Sequence, residues 1–171
     1  MNYYTADWHL FHRNIIKLCH RPFKNEARMH RTLVRNYNEV VGEDDTCYVI
    51  GDVAMIGNSQ WERLGAVIKK LNGTKHLILG NHDQLKWERY IDVGFTSVHS
   101  ALWFDEDNLK IVLAHDPCVY CAIESPLTIL ICGHVHTLFK SIPERRVVNV
   151  GVDMWDFKPV STKQIRKELN V

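Results

Sequence analysis

The sequence predicts an α/β protein in which a parallel sheet of βαβ units packs against a second, mixed sheet within one domain. Three observations predict it. Short β-forming runs alternate with amphipathic helical segments through the first half of the chain. Beyond Tyr90 the helical periodicity fades and β-like runs follow one another. At 171 residues, 46% hydrophobic and 24% charged, the chain is long enough for one sizeable core.

Tyr3-Tyr4-Thr5-Ala6 is the first β-prone run. A short helix is expected between Leu10 and Cys19, broken at Arg21-Pro22-Phe23 because proline disfavours helix in the residue before it. From Glu26 to Val41, Met29, Leu33, Tyr37, Val40 and Val41 recur at helical spacing, and Arg28, Arg31 and Arg35 form the solvated face. Thr46 to Ile50 reads as a buried strand. Ser59-Gln60-Trp61-Glu62 fits a capping box for a helix carrying Trp61, Leu64, Val67, Ile68 and Leu71, which ends at Asn72-Gly73. Lys75 to Leu79 is the next strand, and Gln84 to Tyr90 is helix-like.

Further strands are expected at Phe95–Val98, Ala101–Phe104, Leu109–Leu113, Thr128–Cys132, near 137–140 and at Val147–Val150. Asp105 to Asn108 reads as a hairpin turn, and Pro143 to Arg146 as a polar turn. Ser161-Thr162-Lys163-Gln164 is a second capping box, with Val160 and Ile165 as its hydrophobic staple.

Composition narrows the function. A net charge of +1 supplies no broad basic field, so charge does not point to nucleic acid, although a local patch leaves nucleic acid open as a partner. No apolar run approaches the roughly 20 residues that cross a bilayer, and Met1 to Asp7 lacks the basic and apolar regions of a signal peptide. The expectation is a cytoplasmic protein without membrane contact. Five scattered cysteines suggest reduced thiols rather than a disulfide framework. Cys118-Val119-Tyr120-Cys121 has CxxC spacing but no second pair to complete a zinc site.

Polar groups gather at strand ends. Asp7 and His9 follow the first strand, Asp52 the second, and Asn81-His82-Asp83 the third. His115 and then His134 and His136 follow later ones. Side chains at i and i+2 of an extended segment share a face, so Asp7 with His9 and His134 with His136 can each converge. In parallel sheets the carboxyl ends of strands carry the site. Clustering so many ionisable groups is costly unless something compensates them, and divalent cations would. Imidazole, carboxylate and amide oxygen suit Mn, Fe, Zn or Ni. Gly51, Gly80 and Gly133 beside these residues allow close backbone approach.

In order, Asp7-Trp8-His9, Gly51-Asp52, Gly80-Asn81-His82-Asp83, His115 and Gly133-His134-Val135-His136 resemble the signature of the calcineurin-like metallophosphoesterases. His12 to Ile16, Arg21-Pro22-Phe23 and Asn149 to Asp153 look like the small single-domain bacterial and phage members. The resemblance implies a two-sheet β-sandwich flanked by helices, a four-layer α/β/β/α arrangement spanning residues 1–171 as one domain. It implies two divalent metal ions, manganese first, with Fe, Zn or Ni as alternatives. One would take Asp7, His9 and His136, the other Asn81, His115 and His134, with Asp52 bridging. A metal-bridging hydroxide would attack phosphorus in line. His82 would bind the phosphate or protonate the leaving oxygen, and Asp83 would orient His82 or raise its basicity.

His12 and Arg21 are candidate substrate contacts. His20, His30, His76 and His99 match no motif position and read as structural or exposed. Met55 stands where many members carry a further Asp or Gly, and Trp8 is bulkier than the usual residue. The expected activity is hydrolysis of a phosphoester, small molecule or nucleotide, with phosphodiesters favoured. The alternatives are a phosphomonoesterase or nucleotide phosphatase, a non-catalytic scaffold that keeps the fold, and a CxxC redox protein. Oligomeric state is left open.

Overall fold

Strands β1 (Asn2–Thr5), β2 (Thr46–Ile50), β3 (Thr74–Ile78) and β4 (Ser97–His99) lie side by side and run parallel. The computed structural model describes residues 1–83, 87–106, 108–120 and 127–171. Parallel neighbours need crossover connections. Here these carry the helices α1 (Ile15–Leu18), α2 (Glu26–Asn38), α3 (Trp61–Ile68) and α4 (Trp87–Val93).

Adjacent residues on each strand enter different cores, as strand periodicity requires. Tyr3, Val49 and Leu77 face α2, α3 and α4, where Met29, Leu33, Tyr37, Leu64, Ile68, Tyr90 and Val93 meet them. Their neighbours Tyr4, Ile50 and Ile78 face the second sheet. That sheet contains β5 (Leu102–Glu106), β6 (Leu109–Leu113), β7 (Thr128–Cys132), β8 (Ser141–Ile142) and β9 (Val147–Asn149) in the order β5-β6-β7-β9-β8. Strands β6, β7 and β9 are parallel, and β5 and β8 pair antiparallel at the edges. Ile111, Leu113, Ile129, Ile131 and Val148 fill the space between the sheets.

A two-residue strand, β10 (Val160–Ser161), pairs antiparallel with β1 and leads into α5 (Thr162–Leu169). The Ser161–Gln164 capping box forms as the sequence predicts, with Gln164 N donating to Ser161 Oγ at 3.3 Å and Ser161 N donating to Gln164 Oε1 at 3.0 Å. Val160, Ile165 and Leu169 are buried in the core between the sheets. The resulting architecture is the expected α/β fold with two five-stranded sheets and flanking helices.

Some local expectations change. Ser59 lies inside a 3-10 turn, Asn58–Gln60, and α3 starts after it at Trp61. Gln60 caps that turn by accepting from Gly57 N at 3.0 Å, so the Ser59 box does not start the helix. Residues 137–140 form no strand; the edge strand is β8, one residue later. Strand β5 runs on to Glu106, through half of the predicted turn. Asp107, residues 84–86 and Cys121 lie outside the described residues, and with them parts of the hairpin turn, the helix start and the CxxC pair. Among the described residues, no helix is long and apolar enough to cross a membrane.

Candidate metal centre

Parallel strands deliver their carboxyl ends to one edge. Asp7 and His9 follow β1, Asp52 follows β2, Asn81 to Asp83 follow β3, His115 follows β6, and His134 and His136 follow β7. The first two loops are tied together by continued ladder bonds: Asp7 N donates to Gly51 O at 3.0 Å, His9 N to Asp52 O at 2.9 Å and Leu10 N to Val53 O at 2.9 Å. Asp7, His9, Asp52, His134 and His136 all adopt left-handed backbone, with φ of 58°, 48°, 54°, 70° and 45°. Non-glycine residues rarely hold that conformation, and such strain persists where surrounding structure over-determines it. Gly51 has φ 78°, and a Cβ there would sit 2.7 Å from the backbone of Gly80. The two loops therefore touch through glycine.

Asp52 is central. Its Oδ1 accepts from His82 N at 2.9 Å. Its Oδ2 lies 3.4 Å from His115 Nε2, 3.5 Å from His9 Nε2 and 3.9 Å from His82 Nε2. Asn81 Oδ1 meets His115 Nε2 at 3.0 Å and His134 Nδ1 at 2.9 Å. On the other side, Asp7, His9 and His136 offer ligand atoms within 4.8 Å of one another, as do Asp7, Asp52 and His115. Asp7 also accepts from His134 N, at 3.1 Å to each carboxylate oxygen. His115 Nδ1 donates to Ile50 O at 2.8 Å, which fixes the ring and leaves Nε2 facing Asp52 and Asn81.

The electrostatics are set by burial and by the charges the clustered groups place on one another. Burial pushes the Asp7 carboxyl up to about 6, against the pull of His115 and His136. Burial lowers His9 to about 3 despite nearby Asp52, so the 3.5 Å His9–Asp52 contact joins a neutral imidazole to a carboxylate. Burial would also lower His115, but its bond to Asp52 and the charges of Asp7 and Asp52 outweigh it and hold the imidazolium up to about 9. Asp52 in turn is held down to about 2, because His115 and the His82 amide outweigh burial.

His9 tests whether a metal fits. Its side chain is 2% exposed, and neither ring nitrogen has a hydrogen-bond partner. An unsatisfied buried polar group costs about 1–3 kcal/mol. A cation taking one nitrogen, among imidazole, carboxylate and amide oxygens, would remove part of that cost, and the donor set suits a divalent ion.

No protein-family model matches the chain. It is 31% identical over 175 residues to an uncharacterised protein of Methanocaldococcus jannaschii, across 96% of this chain and 89% of that one. The Gene 66 protein of Mycobacterium phage L5 is 28% identical, across 90% of this chain and 86% of its own. Among solved structures, a protein of unknown function from Aquifex aeolicus superposes with a TM-score of 0.78 at 25% identity, covering 98% of both chains. A novel archaeal phosphodiesterase shares the fold, with a TM-score of 0.52 at 18% identity over 95% of this chain and 94% of that one. The chain belongs to the same family as the Methanocaldococcus jannaschii protein, and its fold is the metallophosphoesterase fold of the archaeal phosphodiesterase.

The fold brings Asp7, His9, Asp52, Asn81, His82, His115, His134 and His136 to one place. His12 joins them: its ring centroid lies 5.4 Å from that of His9 and 6.4 Å from that of His82, and its buried Nδ1 has no partner. Two expectations are corrected. Arg21 does not face a substrate. Its side chain is buried, donating to Asp153 Oδ1 and Oδ2, Asp7 O and Trp8 O. Asp83 does not orient the His82 ring. It is buried and accepts from Asp52 N at 2.7 Å, Gly80 N at 2.9 Å, Val53 N at 3.1 Å and Tyr90 Oη at 2.8 Å. It braces the loops after β2 and β3, while burial pushes its carboxyl up against those donors.

Sequence reasoning assigned no role to Asn149, Asp153 or Tyr90. Asn149 Nδ2 donates to His136 O at 2.8 Å and to Phe139 O at 2.9 Å, shaping the loop that carries both final histidines. The family-like segment Asn149 to Asp153 was the available signal. Trp8 packs in the core and donates to Thr5 Oγ1 at 3.0 Å. Trp155 donates to Asn149 O. His30 Nε2 accepts from Phe11 N, a structural role. Burial pushes the Cys19 and Cys47 thiols up to about 11 and about 12, away from redox reactivity.

Proposed function

We propose that the chain is a divalent-metal-dependent phosphoesterase, formed from a single domain and acting preferentially on phosphodiesters. Asp7, His9 and His136 would hold one cation and Asn81, His115 and His134 a second, with Asp52 between them. Manganese is the first choice, with Fe, Zn or Ni as alternatives. Such a pair of ions supplies an activated water at neutral pH and offsets charge on the phosphoryl oxygens.

The chain's own residues supply the rest. Asp52 keeps Oδ1 engaged with the His82 amide and turns Oδ2 toward His9 and His115. His82 is exposed, as Asn81 and His134 are, with 37% of its side chain accessible and Nε2 3.9 Å from Asp52. It is placed to meet the phosphoryl group and give a proton to the leaving oxygen. His12, beside it, offers a second donor to the phosphate. A cavity of about 310 Å³ opens beside Asn81, His115 and His134, with Leu79, Ala101 and Ala114 together with Ser100 and Asp116 in its wall. Such a wall accommodates the second, uncharged substituent of a diester, which favours diesters over monoesters.

The observation that carries the proposal is His9: a fully buried imidazole with both nitrogens unpartnered, beside two buried carboxylates. The test is turnover of a bis-aryl phosphate against the mono-aryl ester with Mn²⁺, using wild type and Asp52→Asn. The expected result is faster diester turnover, abolished in Asp52→Asn together with weakened metal binding. Faster monoester turnover would sink the diester preference. Full activity in Asp52→Asn would sink the placement of the metals.

A further inference from the structure

Behind His136 lies a buried ion pair that no ligand role accounts for. Arg21 Nε donates to Asp153 Oδ1 at 2.7 Å and Nη2 to Oδ2 at 3.0 Å. The two side chains are 0% and 2% exposed. Asp153 Oδ2 also accepts from His136 Nδ1 at 3.0 Å. The same guanidinium reaches the first loop, with Nη2 donating to Asp7 O at 2.7 Å and Nη1 to Trp8 O at 3.0 Å.

We propose that Asp153, clamped by Arg21, is the positioning residue that sets His136 as a metal ligand, and that the pair selectively determines affinity at the Asp7–His9–His136 site. This rests on the proposed function, in which those three residues share one cation.

The geometry supports it in three steps. A carboxylate only accepts, so Asp153 keeps the proton of His136 on Nδ1 and leaves Nε2 free as the ligand atom. The two-point fork of Arg21 fixes the plane of the Asp153 carboxylate, and with it the direction of that bond. The carbonyl bonds then tie Asp7, held at φ 58°, to the same guanidinium. Arg21 and Asp153, 132 positions apart in the chain, thus link two of the three residues of a single site. Asp153 and Cys19 also lie within ligand distance of His136. Asp153 is nevertheless already bonded by Arg21 and His136, which makes it support rather than ligand. The other half of the site, Asn81, His115 and His134, receives none of these bonds. Its anchors are Ile50 O and the Asn81 amide oxygen for the rings, with the Asp7 carboxylate accepting from the His134 amide.

The test compares wild type, Asp153→Asn and Arg21→Lys as full-length, metal-stripped proteins titrated with Mn²⁺. Bound metal is measured by equilibrium dialysis with atomic emission, and metal–metal coupling by electron paramagnetic resonance. Wild type should bind two Mn²⁺ and show a spin-coupled signal. Asp153→Asn keeps the side-chain volume and one accepting oxygen but loses the charge. It should lose roughly 10–100-fold affinity at one site, leave the other unchanged, and show isolated Mn²⁺ at concentrations that couple the wild type. Arg21→Lys keeps the charge but loses the fork, and should weaken the same site less. It decides the matter if circular dichroism shows Asp153→Asn to be unfolded. Two unchanged affinities, or an equal loss at both sites, would overturn the inference, since a merely structural pair would not discriminate between sites. A wild type that binds no Mn²⁺ would overturn the two-cation reading itself, and the inference with it.

Discussion

Replacing Asp83 by alanine should destabilise the metal-free protein by several kcal/mol, whatever it does to turnover. The carboxylate accepts four hydrogen bonds at 2.7–3.1 Å, three from backbone amides and one from Tyr90. Hydrogen bonds to a charged group contribute about 1.5–3 kcal/mol each, so four would reach about 6–12 kcal/mol if they were independent. They share one carboxylate, and water entering the new cavity would recover part of the loss. Breaking one partner out of a buried charged network typically costs about 3–5 kcal/mol, and that is the expected loss. Asp83→Asn should lose somewhat less, because its amide keeps one accepting oxygen but turns an NH2 toward donors. The assay is urea unfolding of the metal-free proteins followed by circular dichroism and tryptophan fluorescence. A loss below about 1 kcal/mol in Asp83→Ala would refute the reasoning. A variant of wild-type stability with depressed turnover would restore the earlier expectation that Asp83 acts on the His82 ring.

Four further outcomes follow from the site. His82→Ala should keep its metals and lose roughly 10²–10⁴-fold in turnover; metal loss in that variant would make His82 a ligand. Asp7 and His115 both have raised values in the folded, metal-free protein, about 6 and about 9. Their stabilising contributions are therefore complete below their unfolded values and are lost as pH rises through about 6 and then about 9. Unfolding of the metal-free protein from about pH 3.5 to 10 should show this decline. Metal binding at pH 7.5 should release the His115 proton, seen as a buffer-dependent heat in calorimetry; a heat independent of buffer would contradict it. Gly80→Ala places a Cβ against Asp52 Oδ1 and 2.5 Å from Asp52 N. It should displace Asp52, weaken metal binding by at least tenfold in a Mn²⁺ titration and lower the melting temperature, whereas wild-type affinity would show that the loop yields freely.

The sheet and the edge that carries the site were legible because both depend on short-range signals. Thr46–Ile50, Leu109–Leu113 and Thr128–Cys132 are apolar runs of strand length, and they form strands with those bounds. Parallel order then puts Asp7, Asp52 and Asn81 together without further information. Strand β10 escaped notice because two residues carry no periodicity. The side chains were harder to read because their directions depend on backbone that the residue types do not announce. Asp7, His9, Asp52, His134 and His136 sit at positive φ, where the simple i, i+2 argument for an extended strand no longer describes how they converge. Arg21 and Asp83 were misread for a different reason. Each sits beside a motif, which suggested a role in chemistry, yet their partners lie far along the chain: Asp153 for Arg21, and Asp52 and Val53 for Asp83. Proximity in sequence pointed at the substrate, while burial assigned both residues to supporting the ligand loops.

The most direct test of the account is hydrolysis of a bis-aryl phosphate by the metal-stripped protein as Mn²⁺ is added in measured equivalents. Two cations held by Asp7, His9, His136 and by Asn81, His115, His134 around Asp52 predict activity that climbs until the second equivalent and then levels. A plateau at one equivalent, or no hydrolysis with Mn²⁺, Fe²⁺, Zn²⁺ or Ni²⁺, would contradict it.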